Sequence, residues 1–140
     1  MNPELPLLIE EFFSNLQPEA RRIFHGRGHL YPELEHLVID WYGPVVLITL
    51  YDSFDDVAAL EALLLKSDAK GQIKSILLQN RKERGAPSVV LWGEEMPSCE
   101  VEENGLKFEV RPGEQQNAGL FLDMRPLRQW LIDNSENRNV

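Results

Sequence analysis

One stretch limits the possible folds more than any other. From residue 37 the chain reads Leu37-Val-Ile-Asp-Trp41, then Tyr42-Gly-Pro44, then Val45-Val-Leu-Ile-Thr-Leu-Tyr51. Both halves are β-branched or aromatic with little polar interruption, and Gly-Pro punctuates the backbone between them. This predicts a β-hairpin, with Tyr42-Gly-Pro44 as its turn. Before it, Leu5, Leu8, Ile9, Phe12, Phe13 and Leu16 recur at steps of three and four, which places them on one face of a helix. Pro6 is tolerated in a first turn. Pro18 is expected to open a second short helix through Ile23 and Phe24, so residues 1–24 read as a helical N-terminal arm.

Beyond the hairpin, Asp52-Ser53 reads as a helix start, with Asp55 and Asp56 suited to the positive end of the helix dipole. Val57, Leu60, Leu63 and Leu64 form that helix's apolar face, and Ser67 to Gly71 ends it. Strands are expected at Ile73–Gln79 and Ser88–Trp92, joined by a basic loop from Arg81 to Pro87. Two more, Cys99–Glu102 and Leu106–Val110, flank Glu103-Asn104-Gly105, and Asn-Gly favours the positive φ of a tight hairpin. Asp123 reads as the N-cap of a last helix, with Pro126 in its first turn and Leu127, Trp130 and Leu131 on its buried face. The expected fold class is α+β: antiparallel hairpins forming a small sheet, one central helix, a helical N-terminal arm and a C-terminal helix. Residues 25–122 make the α+β body, and 123–140 the last helix and a linker.

The chain has 140 residues and 43% hydrophobic content, enough for a real core in one domain. Its 14 basic and 23 acidic side chains leave a net charge of −9, which argues against a general polyanion binder but not against a local basic patch. One cysteine excludes an internal disulfide framework and a Cys-rich zinc site. No apolar run approaches the ~20 residues of a membrane span. Acids interrupt the apolar N-terminus, which lacks the basic region of a secretory signal. A cytoplasmic protein is expected, without membrane attachment.

The residues that could carry chemistry are few. His25, His29 and His36 fall within twelve positions, but their spacing matches no metal motif, and they read as parts of a structured loop; no metal is expected. Cys99, with Glu95, Glu100 and Glu102 nearby in sequence, reads as a structural or surface thiol rather than a nucleophile. Tyr51-Asp52-Ser53 with Asp55 and Asp56 could form a carboxylate cluster for acid/base work or a cation, but helix capping explains the same residues with no extra assumption. His25-Gly-Arg-Gly-His29 lacks the Lys-Ser/Thr and the strand–loop–helix setting of a phosphate loop. Charge is uneven: six bases and two acids lie between Lys66 and Arg84, after five acids and no base between Leu37 and Leu65. Arg81, Lys82 and Arg84, on a loop between strands, are the candidates for phosphate contact. Solvated surface is the plainer reading of the same run. The segment Gln115 to Arg125 is the least generic. Gln116, Asn117 and Arg125 could offer amides and a guanidinium to a ligand, and the residues alone leave that open.

Two motifs together carry a resemblance. Glu103-Asn-Gly-Leu-Lys-Phe108 followed by Gln116-Asn-Ala-Gly-Leu-Phe-Leu-Asp-Met-Arg125 resembles the region preceding the catalytic domain in class I S-adenosylmethionine (SAM)-dependent methyltransferases. The similarity is to the 23S rRNA cytosine-5 methyltransferases and the guanine-N7 half of a fused 23S rRNA enzyme. There an E-x-H/N-G-[LAV]-x-[FY] hairpin precedes [NT]-G-[FL]-F-L-D-x-R. Phe24 to Pro32 and Ile39 to Tyr42 are similar to the short bacterial members without an N-terminal PUA domain. The resemblance covers about residues 20–140. Asn104 stands where many members have His, and Ala118 where Thr is frequent. In the family, the first strand of the SAM-binding Rossmann domain begins where this sequence ends, at Arg138-Asn-Val140.

The resemblance implies an N-terminal, substrate-orienting domain of a SAM-dependent methyltransferase acting on RNA, inactive and without SAM binding by itself. It implies Gln116, Asn117 and Arg125 near the cofactor, and a Rossmann domain as partner. A dimer through an exposed C-terminal helix around Trp130 and Leu131 is a further expectation. The alternative is a free-standing α+β module that binds RNA or protein without methyl transfer.

Overall fold

The computed structural model describes residues 2–17, 19–26, 33–82, 88–96, 98–103, 105–112 and 130. Among the described residues, α1 (Glu4–Ser14), β1 (Arg21–His25), β2 (Leu37–Tyr42), β3 (Val45–Leu50), α2 (Val57–Ser67), β4 (Ser75–Asn80), β5 (Ser88–Gly93), β6 (Cys99–Glu103) and β7 (Leu106–Val110) follow in order. Strands β1 to β5 form one sheet in sequence order, and β6 and β7 form a separate hairpin.

The predicted hairpin is the centre of the sheet. Strands β2 and β3 pair antiparallel from Leu37↔Leu50 to Tyr42↔Val45, and every residue of both is buried. A strand covered on both faces has no polar alternation, which is why this sequence is nearly continuous in apolar residues. Alternate residues point to opposite sides. Ile39, Trp41, Val46 and Ile48 meet α1 and α2 on one side, in a core that includes Leu5, Ile9, Leu60 and Leu64. Tyr42, Val45 and Leu47 meet Cys99, Val101 and Val110 of the β6–β7 hairpin on the other. The layers are therefore helices, sheet and hairpin.

Helix α1 packs on this body. Leu5, Ile9 and Phe13 are its buried residues, at the four-residue spacing of one face. The ring of Phe13 stands edge-on to Trp41, with centroids 5.8 Å apart. The Asn2 side chain accepts a hydrogen bond from the Glu4 N–H at 2.9 Å and so supports the first turn. After α2, the Asp68 carboxylate accepts from the N–H groups of Gln72 and Ile73 at 2.9 and 2.7 Å, and Gly71 takes φ +65°. That turn returns the chain to start β4. At the β6–β7 turn Gly105 takes φ +80°, a conformation glycine adopts without steric cost.

Three expectations are corrected. The second helix of the N-terminal arm is a strand: Arg21–His25 pairs antiparallel with β2, and the Arg22 Nε donates to Asp40 Oδ1 at 2.8 Å across that pair. Short apolar runs do not separate helix from strand, and the sheet edge captured this one. The sheet is also not built of antiparallel hairpins alone. Strand β4 runs parallel to β3, from Val45↔Ser75 to Leu50↔Asn80, with α2 as the crossover. Lastly, α2 starts at Val57, with Asp56 at its N-cap position, no side-chain capping bond and no acid in the first turn. Asp52 is therefore not its cap.

Among the described residues, no helix is long and apolar enough to cross a membrane. The expectation from the packing is that Ile9→Ala, which empties a fully buried site between α1 and the sheet, lowers stability by about 2–5 kcal/mol. A fall in denaturant midpoint at constant m-value checks it. No fall would mean that α1 does not depend on this core.

Candidate functional site

Because β3 and β4 are parallel, their carboxyl ends emerge together at Leu50 and Asn80. In open sheets of this kind, the carboxyl ends of parallel strands are where ligands gather. The next residues are Tyr51-Asp52 on one side and Arg81-Lys82 on the other. Two backbone bonds fix them: Arg81 N–H to Leu50 O at 2.8 Å, and Tyr51 N–H to His36 O at 2.9 Å. The second brings His36, just before β2, into the same cluster.

The side chains then pair. Arg81 lies over Tyr51, its guanidinium carbon 5.5 Å from the ring centroid, and Nη1 donates to the phenol oxygen at 3.3 Å. The Arg81 Nε is buried without a hydrogen-bond partner. Lys82 Nζ donates to Asp52 Oδ1 at 2.9 Å, and His36 Nε2 lies 3.8 Å from the other carboxylate oxygen. The Ser53 N–H donates to Asp52 at 2.7 Å, and the Lys82 N–H to Asn80 Oδ1 at 3.1 Å. Thr49 and Gln79, opposite each other in the parallel register, are buried one pleat deeper. The strand period puts them on the same side as Tyr51 and Arg81. The core face thus turns from Leu47 and Leu77 to polar groups as it reaches the open end.

Asp52 is held below its ordinary range. The hydrogen bond from Lys82 is the largest cause, followed by the bond from the Ser53 N–H and the charge of Lys82, with a smaller effect from His36. The Asp52 side chain is still nearly half exposed, so solvent screens the pair.

Of the sequence candidates, Arg81 and Lys82 sit together here. Arg81 lies on an aromatic ring, and Lys82, though exposed, is bonded to a carboxylate. Arg84, Gln116, Asn117 and Arg125 lie outside the described residues, as do Arg27 to His29 of the glycine-containing loop and the last-helix N-cap Asp123. Gly26 has a steric role: a Cβ there would run into the Leu34 carbonyl. Its N–H donates to Leu37 O at 2.8 Å. Tyr51 and Asp52, read from the sequence as part of a helix start, and His36, read as part of a structured loop, join Arg81 and Lys82 here. The signal available was the strand–helix–strand order, which allows a parallel pair and joins residues thirty positions apart.

Cys99 is buried, its thiol donates to Tyr42 O at 3.3 Å, and burial pushes its pKa up to about 11. It is structural, as expected, although desolvation rather than the neighbouring acids is the cause. Among the described residues, no three metal-binding side chains converge. The turn after β3, Tyr51 to Asp56, contains no glycine and carries a side chain at each position. A nucleoside cofactor needs close backbone approach at such a turn, so this one does not fit SAM.

The expected titration follows from the geometry. In an NMR pH titration, the Asp52 carboxyl has its midpoint below the ordinary 3.8, and Lys82→Ala moves that midpoint upward. With a depressed folded pKa, the stabilisation is present above the unfolded value and fades as pH falls through the folded one. An unchanged midpoint in the variant would show that Lys82 does not hold Asp52 in solution.

Comparison with known proteins places this geometry. The family model for S-adenosylmethionine-dependent methyltransferases matches residues 21–140, from β1 onward. Ribosomal RNA large subunit methyltransferase K/L of Hahella chejuensis is 28% identical over 111 residues, which is 73% of this chain and 16% of that protein. A solved structure described as a SAM-dependent methyltransferase from Streptococcus mutans superposes with a TM-score of 0.70 at 24% identity, over 96% of this chain and 37% of its own. A second methyltransferase structure, complexed with SAH, gives a TM-score of 0.68 at 24% identity, over 95% of this chain and 36% of its own. The chain thus spans about a sixth of that curated relative and just over a third of those structures. The match from β1 to the end of the sequence settles the family: this chain belongs to the S-adenosylmethionine-dependent methyltransferases, whose methyl donor is S-adenosylmethionine.

Proposed function

We propose that this chain is the N-terminal, substrate-orienting unit of a SAM-dependent methyltransferase that acts on RNA. The observation that carries the reading is the cluster at the carboxyl ends of β3 and β4, where Arg81 lies over the Tyr51 ring and Lys82 stands beside it. An aromatic face beside fixed cations suits RNA, because unstacked bases lie on π-faces while basic groups hold the phosphates. The curated relative named above is a ribosomal RNA methyltransferase, which supports RNA as the substrate class. Arg84, next in the same basic run, completes the proposed phosphate-binding group.

In this reading methyl transfer takes place in a Rossmann domain that binds SAM. The resemblance assigns Gln116, Asn117 and Arg125 to that domain's cofactor. The poor fit of the β3–α2 turn to a nucleoside supports the division of labour. The unit works by orientation: holding the acceptor base at reacting distance from the methyl group is the main contribution an accessory domain can make to such a transfer.

Two measurements test this. Alanine at Arg81, Lys82 and Arg84 together should weaken binding of the chain to single-stranded rRNA fragments. The salt slope should fall by about 0.7 for each phosphate that the variant no longer neutralises. Unchanged affinity would remove this end of the sheet from the account. Calorimetric titration of the 140-residue chain with SAM should give no saturable heat. Saturable binding would mean that the chain holds a cofactor site of its own and is more than an orienting unit.

A further inference from the structure

The ladders of the central strands end at Leu37↔Leu50 and Leu50↔Asn80. One residue further, the same registers set His36 beside Tyr51 and Tyr51 beside Arg81. The bonds from Tyr51 N–H to His36 O and from Arg81 N–H to Leu50 O hold that row. The strand period puts all three on the side of Thr49 and Gln79. His36 therefore stands in line with the Tyr51–Arg81 pair, on the flank away from Arg81. Its side chain is 55% exposed, and its Nε2 lies 3.8 Å from Asp52 Oδ2, while Lys82 Nζ bonds to Oδ1 at 2.9 Å. The Asp52 carboxylate thus lies between an imidazole and an ammonium, with one oxygen toward each.

Imidazole is the side-chain type that ordinarily gains a proton between about pH 5 and 8. Facing His36 are Tyr51 and Asp52 after β3 and Arg81 and Lys82 after β4, with Glu33 and Glu35 beside it in the chain. None of these is of a type that ordinarily titrates in that range. A proton on His36 changes two things at once. It adds a cation to the end of the sheet, and it attracts Asp52 through the oxygen that Lys82 does not hold. We propose that His36 is a third, proton-dependent member of the phosphate-binding group: protonated, it holds Asp52 and leaves Lys82 to a phosphate of the RNA. This rests on the RNA reading above and adds to it a residue and a dependence on pH. Linkage fixes the sign. RNA that prefers the protonated form raises the proton affinity of the imidazole. The gain in affinity is therefore complete at low pH and is lost as pH rises through the midpoint of the bound form.

Fluorescence anisotropy of a labelled single-stranded rRNA fragment, titrated with the 140-residue chain at fixed ionic strength, tests the proposal. Between about pH 8 and about pH 6, across the imidazole range, affinity should rise two- to fivefold, roughly the scale of one exposed ion pair. The salt slope should steepen by up to about 0.7 over the same range. His36→Gln should be level across it and bind as weakly as the parent does at the higher pH. His36→Lys, charged at either pH, should be level and bind as tightly as the parent does at the lower. His25→Gln, on β1 beside Arg22, should keep the parent's pH dependence. Level affinity in the parent, or a pH dependence that survives His36→Gln, overturns the role of His36 and leaves the RNA reading standing. No RNA binding at any pH overturns both.

Discussion

The whole structure depends on covering both faces of β2 and β3. Six consecutive ladder pairs, with none of their twelve residues exposed, cannot be satisfied by a single layer. Two helices supply one cover and a hairpin supplies the other. The helices must lie together on one side, which explains why α2 crosses over and returns the chain as a parallel strand instead of closing another hairpin. A short connection would have left that face of Val46 and Ile48 open. The parallel pair is thus a consequence of core coverage, and the candidate site at the end of the sheet is a consequence of the parallel pair.

Much of this was legible where the signal is local. The β2–β3 hairpin, the Asn-Gly hairpin and the apolar face of α2 all rest on patterns within a dozen residues, and all stand in the structure. What the sequence hid was pairing at distance. Ile76-Leu77-Leu78 identifies a strand but does not say that its neighbour is β3 or that the two run in the same direction. Ile23 and Phe24 fit a short helix or a strand equally well, and only the free edge of β2 decides between them. Asp52 shows the same limit: beside a helix it looks like a cap, but the ammonium of Lys82, thirty residues later, offers a charged donor that a helix start four residues away does not.

The site was legible by half for the same reason. A basic run in an acidic chain pointed to Arg81 and Lys82, because charge can be counted without a fold. Their partners could not be counted. Tyr51, Asp52 and His36 reach them only through the β2–β3–β4 order, so the cluster became visible when the topology did.

Those partners sharpen the role of the two bases. A lysine bonded to Asp52 is still open to phosphate. The pair is exposed and screened, so it contributes little to stability and can be exchanged. An incoming phosphate offers Lys82 a second anion, and the displaced carboxylate returns to water and to its Ser53 bond. The exchange discriminates, however. A stray polyanion must compete with Asp52 and with the chain's net −9. A strand that also places a base against the Tyr51–Arg81 platform adds stacking that Asp52 does not oppose. In the proposed reading, the carboxylate would convert a general attraction for phosphate into a requirement for phosphate and base together. That is the kind of selectivity an orienting domain needs, since a substrate held by charge alone could slide out of register with the methyl group.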